Sequence, residues 1–125
     1  MADVVPFEDG DGRRRRAWVR TDYVARVYML EIGGGPPRKC VTLNVSAGGL
    51  LVRGLQEADL GGELRFDLEL GPAQPRISGT CRIVRTTPEG LKGVMFASIS
   101  EEDRDRLVSF TEERERAQRA LRRGA

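Results

Sequence analysis

The chain has 125 residues, 39% hydrophobic and 32% charged, with a net charge of +2. That suits one domain with one core, and it leaves the overall charge silent about partners. Histidine is absent, which removes the commonest general base, the commonest zinc ligand and every Ser-His or Cys-His nucleophile pair. No stretch approaches the roughly 18 consecutive apolar residues of a membrane span, and the acidic N-terminus is unlike a signal peptide. Cys40 and Cys81 form no Cys-x-x-Cys. They read as two partly buried thiols in a reduced, cytoplasmic setting, with no metal site.

Residues 1–12 carry Asp3, Glu8, Asp9 and Asp11, show no periodicity and end in Asp9-Gly10-Asp11-Gly12. They read as a flexible acidic tail. Arg13-Arg14-Arg15-Arg16-Ala17-Trp18-Val19-Arg20 follows and concentrates positive charge locally. It precedes the first regular apolar pattern, so Arg16 and Arg20 are both expected ahead of the first strand. Tyr23 to Ile32 is rich in β-branched and aromatic residues and predicts a strand. Gly33-Gly34-Gly35-Pro36-Pro37 then breaks it.

Lys39 to Ser46 predicts a second strand. Its period of two puts Val41, Leu43 and Val45 inward, with Thr42, Asn44 and Ser46 on the opposite face. Gly48-Gly49 reads as a tight connection because Gly accepts a positive φ. Leu50-Leu51-Val52 begins a third strand, and Gly61-Gly62 a turn. Glu63 to Leu70 alternates without error, with Leu64, Phe66, Leu68 and Leu70 inward. Arg76 to Arg85 is a fifth strand with a bulge or close approach at Gly79. Leu91 to Ala97 is a sixth.

The period then changes. Ser100-Glu101-Glu102-Asp103 resembles a capping box with acids in the first turn. Leu107 and Phe110 share a face, while Glu112 with Arg116 and Glu115 with Arg119 stand at i,i+4 spacing. The helix is expected to dock by its first two turns and then run into solvent. Ala117, Ala120 and Leu121 form at most a weak partner stripe. Six short antiparallel strands and one helix make a mainly β fold, a small barrel with the helix at one mouth.

Arg16-Ala17-Trp18-Val19-Arg20 fits Arg-x-x-x-Arg. Asn44-Val45-Ser46-Ala47-Gly48-Gly49 fits Asp/Asn-x-Ser-x-x-Gly. With the strand order, the late Gly93-Val94-Met95-Phe96 strand and the terminal helix, these residues resemble the PilZ domain family over roughly Arg13 to Phe110. The resemblance implies a six-stranded antiparallel PilZ-type barrel over residues 13–111, with a C-terminal helix over 100–123. It also implies binding of the second messenger cyclic di-GMP, with no cofactor and no catalysis.

By the resemblance, Arg16 and Arg20 grip guanine edges and phosphates. Asn44 and Ser46 meet the second guanine, and Gly49 allows the close turn. Asn44 stands where Asp is frequent and lacks that residue's charge. Trp18 is a candidate for stacking on a guanine. Arg15, directly before the motif, is expected to favour two stacked cyclic di-GMP molecules per chain. Arginine's planar fork matches the O6/N7 edge of guanine and also matches phosphate, which agrees with this ligand on chemical grounds. The arginine segment is expected to change conformation on binding and to signal by contact with an unidentified downstream protein. The alternative is a PilZ-like protein-interaction module whose ligand site is silent. DNA or RNA binding is not expected, because the few aromatics, Phe66 and Phe96 among them, read as core and provide no stacking platform.

Overall fold

The computed structural model describes residues 18–55 and 62–124. The acidic tail, Arg13 to Arg16, Ala17 and Gly61 lie outside the described residues. The described residues form seven strands and one helix, in chain order: β1 (Arg20–Asp22), β2 (Arg26–Glu31), β3 (Arg38–Ser46), β4 (Gly49–Arg53), β5 (Glu63–Glu69), β6 (Ile77–Thr86), β7 (Lys92–Ile99) and α1 (Glu101–Gly124). The sheet order is β1-β3-β2-β5-β6-β7-β4, and β4 pairs back onto β3. Strands β2 to β7 thus close a six-stranded antiparallel barrel, and β1 is an added seventh strand.

The unbroken alternation of β5 produces the inner wall: Leu64, Phe66 and Leu68 are buried, as is Leu70 just beyond the strand, and Phe66 stacks on Phe96 of β7 with ring centroids 4.8 Å apart. The barrel interior is filled by Val27, Met29, Val52, Ile77, Cys81 and Ile83, all essentially without solvent contact. Gly79 combines the two expected roles. A β-carbon there would overlap the Ser98 carbonyl, and the β6–β7 register shifts just beyond it, between Thr80 and Cys81.

Three expectations are corrected. First, Arg20 does not precede the first strand; it opens β1, paired to the end of β3. Strands β1 and β2 run along the same side of β3, separated by Tyr23 to Ala25, and the pairing sum shifts by one residue across that break. Second, β3 does not alternate evenly. Its pairing with β4 is irregular between Thr42 and Asn44, so Thr42 turns inward and is fully buried, whereas Val41 and Leu43 stay half-exposed. A bulge flips the facing of everything beyond it, which a strict period of two cannot show. Third, Gly48 and Gly49 are not among the glycines with positive φ. Their need for Gly is steric, as the site shows.

Helix α1 begins as its sequence signals. The Ser100 hydroxyl accepts from the Asp103 amide at 3.0 Å, satisfying one of the donors that every helix start leaves open. Leu107 and Thr111 are its buried residues, and Leu121 near its end is 73% exposed. The i,i+4 pairs expected at Glu112–Arg116 and Glu115–Arg119 are not closed. Instead, Arg106 gathers the helix's ion pairs, with Glu102 at 3.1 Å and with Asp103.

Candidate functional site

Strand pairing brings parts of the two motifs together. In the β1–β3 register Arg20 lies opposite Ser46 and Asp22 opposite Asn44. Residues directly opposite across antiparallel strands project to the same face. Arg20, Asp22, Asn44 and Ser46 therefore share one face at this end of the barrel, Ser46 itself buried, while Thr21 and Val45 between them point to the core. Arg20 and Asp22 are exposed and Asn44 half-buried. No hydrogen bond or ion pair with another described residue engages the side chains of Arg20, Asp22 or Asn44, so a guanidinium, a carboxylate and an amide are open to a ligand. Asp22 was not foreseen from the sequence. Its place opposite Asn44 depends on β1 being a strand.

Ser46 has a different job from its neighbours. Its Oγ accepts from the amides of Gly48 and Gly49, both at 3.1 Å, and donates to the Gly49 carbonyl at 3.3 Å. A hydroxyl has one proton and two lone pairs, so all three are spent within the turn. Gly48 and Gly49 are then held against two different neighbours. A β-carbon on Gly49 would overlap the carbonyl oxygen of Val94 on β7. One on Gly48 would lie 2.5 Å from Cδ1 of Trp18.

Trp18 is half-buried and packs on this turn from the Arg-x-x-x-Arg side. Its ring is also met from α1, where the Arg104 guanidinium carbon lies 5.6 Å from the ring centroid. Arg104 is partly buried, and burial lowers the pKa of its guanidinium. Its Nε is buried with no hydrogen-bond partner. A groove of about 690 Å³ runs between Trp18, Val19 and Ala47 on one side and Glu101, Arg104, Asp105, Val108, Thr111 and Glu112 of α1 on the other.

The helix is tied to β1 by a second arginine. Arg114 donates to the Asp22 carbonyl at 3.0 Å and to the Thr21 hydroxyl at 3.4 Å. Its guanidinium lies 4.6 Å from the centroid of Tyr23, and Tyr23 meets Phe110 edge-on with centroids 4.9 Å apart. Tyr23 also donates to the Leu70 carbonyl. Neither Arg104 nor Arg114 carried a sequence signal, since both lie in a helix full of arginines. Arg15 and Arg16 lie outside the described residues.

A closed antiparallel barrel, with an arginine-bearing strand paired beside a glycine turn and a helix packed against that strand, places the molecule among the small closed β-barrels. The chain belongs to the PilZ domain family, whose profile matches residues 14–113. Among solved structures it is similar to the inhibitor of motility MotI/DgrA of Bacillus subtilis, at 25% identity and a TM-score of 0.68, over 81% of this chain and 51% of that one. The chain thus spans about half the length of that protein. It shares its fold with the PilZ domain of CeSA from a cellulose-synthesizing bacterium, at 18% identity and a TM-score of 0.58, over 77% of this chain and 97% of that one. It shares it also with the PilZ domain of YcgR from Escherichia coli, a structure with cyclic di-GMP, at 12% identity and a TM-score of 0.64, over 89% of this chain and 99% of that one. No curated protein matches the chain. Among the described residues no helix is long and apolar enough to cross a membrane.

Proposed function

We propose that this chain is a cyclic di-GMP receptor that passes its signal on by protein contact and catalyses nothing. The observation that carries the reading is the β1–β3 register, which sets Arg20 of one motif across from Ser46 of the other. Family membership and the cyclic di-GMP in the Escherichia coli relative support it. Arg20 and Arg16 bind guanine edges and phosphates. Asn44 meets the second guanine, and Asp22 beside it supplies the carboxylate that position 44 lacks. Ser46 and Gly49 shape the turn beneath. Ligand binding repositions the arginine segment against the barrel, and a partner protein reads that change. Arg15 adds a guanidinium that offsets the phosphate charge of two stacked ligands.

Calorimetry with cyclic di-GMP tests this. Wild type binds it and binds GMP poorly, at a ratio of two ligands per chain. Arg20→Ala or Arg16→Ala weakens binding about tenfold or more, in keeping with roughly 1–3 kcal/mol per bidentate contact. Arg15→Ala lowers the ratio toward one. Absence of binding by the wild type would leave a barrel that works by protein contact alone.

A further inference from the structure

Arg104 is an unusual arginine. Its neighbour Arg106 is held by two carboxylates, yet Arg104 pairs with none of the described acids, although Glu101 and Asp105 line the same groove. Its Nε is both buried and without a partner. Taking part of a guanidinium out of water without a hydrogen bond costs free energy. What Arg104 receives in return is the face of Trp18. Arginine is well suited to that contact, being planar and weakly hydrated.

The ring so held is the middle of Arg16-Ala17-Trp18-Val19-Arg20, and it also lies against Gly48, inside the Asn-x-Ser-x-x-Gly turn. Trp18 is therefore clamped between α1 and the turn that the second motif forms. From this geometry we infer that Arg104 is a positioning residue of the ligand site: through Trp18 it fixes the Trp18–Arg20 end of the Arg-x-x-x-Arg motif beside the Asn44–Gly49 turn, and so makes α1 part of the site without touching ligand. The inference rests on the receptor reading above and deepens it. It also gives ligand binding a route to the helix, because a shift of the arginine segment changes the Trp18–Arg104 contact.

Trp18 is the only tryptophan, so its emission reports on the clamp directly. Emission and iodide quenching are measured on wild type, Arg104→Ala and Arg104→Lys, and cyclic di-GMP calorimetry on these three, on Trp18→Ala and on the Arg104→Ala/Trp18→Ala double variant. Circular dichroism confirms that each is folded. Arg104→Ala is expected to shift ligand-free emission to longer wavelength, increase quenching and weaken binding about fivefold, the scale of a partly desolvated cation–π contact. Arg104→Lys keeps part of each property, because an ammonium also sits over an indole. In the Trp18→Ala background, removing Arg104 costs less than about twofold more, since its partner is already gone.

Unchanged emission in Arg104→Ala would overturn the clamp. Unchanged affinity would overturn its role in binding. An equally large loss with and without Trp18 would overturn positioning, because Arg104 would then meet the ligand itself. A wild type that takes up no cyclic di-GMP refutes the receptor reading and the binding half of this inference; emission and quenching still decide the clamp.

Discussion

Thr42 and Ala25 exchange two hydrogen bonds across the break between β1 and β2. The Ala25 amide donates to Thr42 Oγ1 at 2.8 Å, and the Thr42 amide donates to the Ala25 carbonyl at 2.9 Å. The hydroxyl then gives its proton to the Tyr23 carbonyl at 2.6 Å. One buried side chain thus satisfies both ends of a three-residue gap that has lost its regular ladder, and keeps β1 aligned on β3. Thr42→Val preserves the shape and strands the Ala25 amide and the Tyr23 carbonyl. It is expected to cost about 2–4 kcal/mol, the scale of two buried groups left unmet. Urea unfolding checks it, as a lower midpoint at unchanged slope.

The two glycines of the turn separate stability from positioning. In Gly49→Ala the new methyl meets backbone, the Val94 carbonyl, and β4 must move away from β7. A loss of about 1–3 kcal/mol is expected, as for overpacking. In Gly48→Ala the methyl meets the Trp18 ring, which moves more easily than a strand. Its melting temperature should fall less, while its tryptophan emission should shift more. Melting curves and emission spectra of the pair decide it; equal emission spectra would remove Trp18 from the turn.

Ser46→Ala leaves the Gly48 and Gly49 amides without their acceptor. The expected cost is about 1–2 kcal/mol in stability, since the amides can partly turn to water. Cyclic di-GMP affinity should fall as well, through the shape of the turn. Comparing urea unfolding with calorimetry checks this. A loss of affinity with no loss of stability would mean that the hydroxyl serves the ligand and not the turn.

The Cys81 thiol titrates late. Burial, reinforced by Cys40 and Glu63, pushes it up from 9.0 to about 12. An unfolded thiol releases its proton first, so high pH favours the unfolded chain. The stabilisation is whole below about pH 9 and is lost as pH rises toward about 12. Urea unfolding of wild type and Cys81→Ala across that range should show a steeper decline in wild type. Burial also raises the Cys40 thiol, so neither cysteine should react with a thiol reagent at neutral pH until the barrel opens.

Most of the barrel could be read from residue periodicity. Glu63 to Leu70 alternates cleanly because both its neighbours pair with it in regular register. β3 could not be read that way. Its Thr42 is a polar residue in a core position, tolerable only because the Tyr23–Ala25 break offers it partners, and those partners stand 17 and 19 residues away along the chain. β1 has only three residues, too few for a period, and its pairing with β3 is a long-range choice. The motifs marked Arg20, Asn44, Ser46 and Gly49 for attention. That Ser46 is spent on its own turn, that Asp22 faces Asn44, and that Arg104 reaches Trp18 are three-dimensional facts with no local pattern behind them.

Barrel closure also bears on how this protein meets others of its kind. A closed sheet offers no open row of amides and carbonyls onto which a stray strand can add. The strand added outside the closed barrel is the three-residue β1, and there Arg114 already occupies the Asp22 carbonyl. Along the closed part of the barrel, templated strand addition therefore finds little purchase. The arginine that caps β1 belongs to the same helix that meets Trp18.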